Sequence, residues 1–123
     1  MGRAMPPKRI IVIEHDKDAR DLTAALFEET ELDVVECSSW HEALPILERD
    51  PSSVAMVFAN VDGGEAAPRL AERIRSRWPR IRLILTGNRR SRAGLPADTP
   101  YMPKPWRALE VLIAAETAAG LRH

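Results

Sequence analysis

The sequence holds a single cysteine, Cys37. That excludes an internal disulfide framework and a thiolate metal cluster, and leaves the thiol as a small apolar filler in a reducing compartment. His41 and His123 lack the paired spacing of a zinc site. No uninterrupted apolar run approaches the ~20 residues that span a bilayer. The N-terminal stretch Met1 to Pro7 has no apolar core of a secretory signal. Neither sign of charge is in excess, with Lys+Arg 18 against Asp+Glu 18. A neutral chain has no general electrostatic attraction to nucleic acid or to an anionic membrane. There is no glycine-rich phosphate loop, and no nucleophile–base or acid–base pair that would make an enzyme. The exclusions leave a cytoplasmic, non-enzymatic globular protein as the expectation.

What is present fits one domain. The chain has 123 residues, 45% of them apolar and 29% charged, enough to bury one core. Arg9 to Glu14 is a short, β-branched, unbroken apolar run, the mark of a central parallel strand. Asp16 to Glu29 predicts a helix with Leu22, Ala25 and Leu26 inward and acids near its start. Leu32 to Cys37 predicts a second strand. Ser39 then caps a helix over Trp40 to Arg49, with Glu42 completing a capping box and Pro45 expected to kink or shorten it. Val54 to Ala59 is a third strand, ending at a turn marked by Gly63 and Gly64. A helix from Glu65 to Trp78 places Ala67, Leu70, Ala71, Ile74 and Trp78 on one face, and Pro79 ends it.

Arg82 to Thr86 is a fourth strand, closed by Gly87. From Asn88 to Thr99 only a short or distorted helix is expected. Arg89, Arg90 and Arg92 there are either a solvated basic stretch or a contact for an acidic partner. Pro100 to Trp106 holds a brief fifth strand and a proline-bounded turn. The last helix, Arg107 to Ala119, is expected to turn Leu109, Leu112 and Ile113 inward. Strands alternating with helices predict a doubly wound, three-layer α/β sandwich around a five-stranded parallel sheet. Its boundaries are a flexible tail over 1–7, a domain over 8–119 and a C-terminal tail over 120–123.

Ligands of such sheets bind beyond the C-terminal strand ends. Those ends carry Glu14, His15 and Asp16, then Asn60 and Asp62, then Thr86, then Lys104. With Val57 to Val61, Leu85-Thr86-Gly87 and Pro103-Lys104-Pro105, the order of elements resembles the receiver domain of two-component response regulators, of the chemotaxis-regulator type. The resemblance covers roughly Lys8 to Ala119. It implies a flavodoxin-like fold with strand order 2-1-3-4-5. It also implies an aspartate at the end of the third strand that accepts a phosphoryl group, with magnesium held by two acids after the first strand. A threonine, a lysine and a rotamer-switching aromatic complete the family's site, and they match Thr86, Lys104 and Tyr101.

The departures carry the functional expectation. The phosphoacceptor position is Asn60, whose neutral amide is no nucleophile. Glu14 and His15 stand for the acid pair, so the hard-oxygen set is one short and magnesium binding should be weak or absent, unless Asp16 and Asp62 compensate. No cofactor is required. The expected function is an atypical, pseudo-receiver module of a phosphorelay that acts by protein–protein interaction. Its partners would be a sensor histidine kinase, another signalling protein or a second copy through the fourth helix, fifth strand and last helix. Two alternatives stand beside it: phosphorylation at Asp62 or Asp16, and a small-ligand or metal sensor on the same rim.

Overall fold

The computed structural model describes residues 8–62, 67–92, 94–95 and 97–121. Among the described residues five strands, β1 (Arg9–Ile13), β2 (Asp33–Cys37), β3 (Val54–Asn60), β4 (Arg82–Gly87) and β5 (Tyr101–Pro103), alternate with five helices. The helices are α1 (Lys17–Ala25), α2 (Trp40–Arg49), α3 (Ala67–Arg77), α4 (Arg89–Arg92) and α5 (Ala108–Ala118), and a 3₁₀ turn at Pro51–Ser53 precedes β3. The strands form one parallel sheet in the order β2-β1-β3-β4-β5. The central strands are buried along their lengths, as their unbroken apolar runs require, whereas the edge strands β2 and β5 are only partly covered.

Side chains alternate between two cores. Ile11, Ile13, Val57, Ala59, Leu83 and Leu85 pack with Trp40, Ala43 and Leu47 of α2 and Ala71 and Ile74 of α3. Ile10, Val12, Met56, Phe58 and Ile84 pack with Phe27 and with Val111, Ala114 and Ala115 of α5. The result is the doubly wound sandwich expected of the pattern. Among the described residues no helix is long and apolar enough to cross a membrane.

Several local expectations are corrected. On α1, Leu22 is 73% exposed and Ala25 is exposed, while Thr23 and Phe27 are buried and Leu26 is half-buried. Hydrophobicity favoured Leu22. The fold instead buries Thr23, whose hydroxyl donates to the Ala19 carbonyl at 2.9 Å and so costs little. On α5, Leu109 is 66% exposed and Ile113 is also exposed, with Val111, Ala114 and Ala115 against the sheet instead. A helix apolar on every side offers no polar face from which to read its orientation.

Pro45 does not shorten α2, which reaches Arg49. Ser39 caps it as expected, but Glu42 reaches back to the Ser38 N–H and hydroxyl rather than to Ser39. Gly120, at φ 77°, donates to Thr117 and Leu121 to Glu116, a Schellman close of α5. The 1–7 tail, the Gly63–Gly64 turn, the 65–66 start of the third helix and residues 122–123 lie outside the described residues, as does the side chain of Ala67.

Cys37 ends β2 and is buried. Burial first, and then the Glu42 carboxylate, push its thiol from the ordinary 9.0 up to about 11, with Arg20 opposing. The folded state therefore keeps a proton that the unfolded state releases at lower pH. This contribution favours folding below pH 9.0 and is lost as pH rises towards 11. Urea midpoints should fall less steeply across that window in Cys37→Ala than in the wild type. Identical slopes would contradict the assignment.

Candidate functional site

The sheet register builds the rim. Ile13 aligns with Cys37 and Ala59, and Asn60 aligns with Thr86, which aligns with Met102. The ladder continues just past the strands: Glu14 N–H donates to Cys37 O, Val61 N–H to Thr86 O and Lys104 N–H to Gly87 O, at 3.0, 2.9 and 2.8 Å. Main-chain bonds thus hold Glu14, Asn60, Thr86 and Lys104 on one edge of the sheet, as their positions at strand ends implied.

Glu14 is buried at 7% exposure. Its carboxylate accepts from Asn60 Nδ2 at 2.7 Å and from the Asp16 N–H at 3.1 Å, and His15 Nδ1 stands 3.4 Å away. The Arg20 guanidinium donates to the Glu14 carbonyl at 2.8 Å. Asn60 uses both ends of its amide, because its Oδ1 accepts from the Asp62 N–H at 2.9 Å. An aspartate could accept the Asp62 N–H but could not donate to Glu14. The neighbours at this position are therefore satisfied by an amide.

The Asp62 side chain reaches across to the end of β4. Its Oδ1 accepts from the Asn88 N–H at 2.9 Å, and its Oδ2 lies 3.4 Å from Lys104 Nζ. Tyr101 closes the same corner by donating to the Asn88 carbonyl, with Arg92 over its ring at 5.9 Å. Gly87 makes the corner possible. A Cβ there would fall well inside contact distance of Asp62 Oδ1 and only 2.8 Å from Tyr101 Oη.

Under the rim lies a cavity of about 70 Å³ lined by Glu14, Thr23, Phe58, Asn60, Thr86, Lys104 and Trp106, among others. Thr86 is 3% exposed and its hydroxyl finds no partner among the described residues. A polar cavity of this size has room for water, which would satisfy it. Phe58 and Trp106 form an edge-to-face pair at 5.3 Å on its floor.

Among the described residues no three His, Cys, Asp or Glu side chains converge as ligands. Asp16 caps α1, its Oδ2 accepting from Ala19 N–H at 2.8 Å. His15 points to solvent at 72% exposure. Asp62 is committed to Lys104 and Asn88. A hard divalent cation would find one carboxylate, already hydrogen-bonded, where it prefers several oxygens.

Thr86 and Lys104 line one cavity with Asn60, while the Tyr101 hydroxyl lies at Gly87 and Asn88. Lys104 Nζ engages neither Asn60 nor Glu14 within ion-pair or hydrogen-bond reach and faces Asp62 instead. Sequence reading missed Asn88, Arg20 and Thr23. Asn88 acts here through its backbone N–H and carbonyl, and Arg20 through its guanidinium on a backbone carbonyl, a partner that leaves no residue-type signal. Gly87 was read only as a strand end, although a glycine there is also the signature of close approach.

No protein-family model matches the chain. No curated protein matches it in sequence. Solved structures match in shape. A response regulator receiver domain protein from Clostridium thermocellum superposes with a TM-score of 0.75 at 20% identity, covering 92% of this chain and 94% of the other. A response regulator from Thermotoga maritima gives 0.73 at 19% identity, over 93% and 98%. A CheY-like receiver domain protein from Methanospirillum hungatei JF-1 gives 0.74 at 17%, over 93% and 94%. With the sheet order and the two-sided helix packing, these likenesses establish that the chain has the fold of response regulator receiver domains.

Proposed function

We propose that this chain is a receiver-like signalling module that takes no phosphoryl group and works by binding another protein. The observation that carries this reading is the Asp62 clamp beside a neutral Asn60. In the receivers that the sequence resembles, an acquired phosphoryl group brings negative charge to the lysine and threonine. Here Asn60 is no carboxylate nucleophile, and the resident Asp62 carboxylate already faces Lys104 and the Asn88 N–H. The switch contacts are therefore held permanently rather than on demand. The donor set supports working without magnesium, since Glu14 is spent on Asn60, Asp16 and His15. It offers no acid–base pair for turnover.

The partner-binding surface in this reading is the α4–β5–α5 face. Leu109 and Ile113 are exposed one turn apart on α5, beyond Pro105 and Trp106. Their apolar area fits a histidine kinase, another signalling protein of the cytoplasm or a second copy.

The test is a pair of amide spectra of labelled protein. Adding a small-molecule phosphodonor and magnesium should leave the Asn88 and Thr86 amides where they are. Replacing Asp62 by Ala should move both and speed hydrogen exchange at Asn88 by about tenfold, the loss of one charge-assisted bond. Amides that shift with phosphodonor in the wild type would sink the reading.

A further inference from the structure

The overall neutrality of the chain conceals two opposed halves. Residues 1–62 carry thirteen acids and six bases, while residues 63–123 carry twelve bases and five acids. The fold separates them in space. α1 and α2 pack on β1 and β2, whereas α3 packs on β4 and α4 on β5. The sheet order sets β2 and β5 at opposite edges. One edge of the molecule is therefore acidic and the other basic.

The basic edge has a defined shape. Arg69, Arg73 and Arg77 follow each other at four-residue spacing along α3, which stacks them in one exposed stripe, and Arg80 is exposed in the turn that follows the helix. Arg77 is braced over the Trp78 ring at 4.9 Å. Arg69, Arg77 and Arg80 have no ion-pair partner among the described residues. On the other edge, Glu28, Glu29, Glu31 and Asp33 are exposed between α1 and the start of β2, likewise with no ion pair among the described residues. Where the two halves meet on the α2–α3 side, they do pair: Arg73 lies 3.5 Å from Glu48. The stripe thus already accepts a carboxylate of the acidic half within one molecule.

We infer that the arginine stripe of α3 docks against the acidic α1–β2 edge of a second copy, head to tail. A polyanion such as RNA would neutralise the basic edge and leave the acidic one uncompensated, whereas a second copy neutralises both. The contact is heterologous, so each bound copy presents a free edge of each sign and growth continues past the dimer. Exposed charge pairs contribute little singly and are screened by salt, so the association is weak and salt-sensitive. The inference does not depend on the signalling reading, and it uses neither the rim residues nor the exposed Leu109 and Ile113 of α5.

Sedimentation velocity of the full chain across a concentration series tests it. Association should extend beyond a dimer at about 20 mM salt and weaken roughly tenfold at about 500 mM. The double variants Arg69→Glu/Arg77→Glu and Glu29→Lys/Glu31→Lys should each lose it. Mixed in equal amounts, the two variants should form a one-to-one dimer and stop, because each keeps one working edge. That rescue also shows that both variants are folded. A chain that stays monomeric at every concentration overturns the inference. So does association that ignores salt and is lost only in Leu109→Glu/Ile113→Glu, which would assign it to α5. A monomer that binds a short RNA through the same arginines overturns the choice of a second copy.

Discussion

Asn60→Asp should lower stability by about 2–4 kcal/mol at neutral pH in the absence of divalent cations, and added magnesium should recover most of it. In the wild type, Asn60 Nδ2 donates to Glu14 Oε1 at 2.7 Å, and Glu14 is buried. The substitution replaces that donor by a second carboxylate at the same distance. One of the two acids must then keep a proton to a higher pH in the folded state than in the unfolded chain. The sign follows. Below about pH 4 both states are protonated and the penalty vanishes, and it grows as pH rises through the unfolded carboxylate value. Urea denaturation of both proteins at acidic and neutral pH, with and without magnesium, measures it. Equal stability at neutral pH without cation would show that the 2.7 Å contact is not what holds Glu14 in place.

The second large effect is expected at Phe58→Ala, a loss of about 3–5 kcal/mol. Phe58 lies in the central strand β3 at 2% exposure, packs in the α1–α5 core and meets Trp106 edge to face. Truncation removes the transfer free energy of a whole ring and enlarges the cavity beneath the rim that Phe58 already lines. Trp106 follows the Lys104–Pro105 turn, so the loss should also loosen Lys104. The measurable sign is a red shift of tryptophan emission in the folded variant together with the fall in denaturation midpoint. Phe58→Leu, which keeps most of the volume, should cost less than half as much. Equal costs for the two variants would mean that the ring does not anchor this corner.

The fold was legible because its signals were strong and redundant. Unbroken runs such as Arg9 to Glu14 and Val54 to Ala59 are too short for most helices and rich in β-branched residues, which favours central strands, and the helices between them favour a parallel sheet. The site's outline was legible for the same reason. Strand ends are positions, and Glu14, Asn60, Thr86 and Lys104 occupy them.

What escaped were orientations and partners. Leu22 and Leu109 look like core residues but are exposed, since neither α1 nor α5 has a sequence face clear enough to overrule packing. Asp62 was read as an aid to a metal and instead bridges Lys104 and Asn88. That outcome depends on the space left by Gly87 and on a backbone N–H, neither of which a side-chain inventory describes. Asp16 was weighed only as a compensating ligand of a weak or absent metal site, and its side chain caps the start of α1, a position for which Asp is a preferred residue.

The most direct test of the central claim is the intact mass of the protein after incubation with a small-molecule phosphodonor and magnesium. The unaltered chain should gain no phosphoryl group, while Asn60→Asp, which restores a carboxylate beside Thr86 and Lys104, should gain one. A phosphoryl group on the unaltered chain, mapped to Asp62 or Asp16, would contradict the account and make this an active receiver with a relocated acceptor.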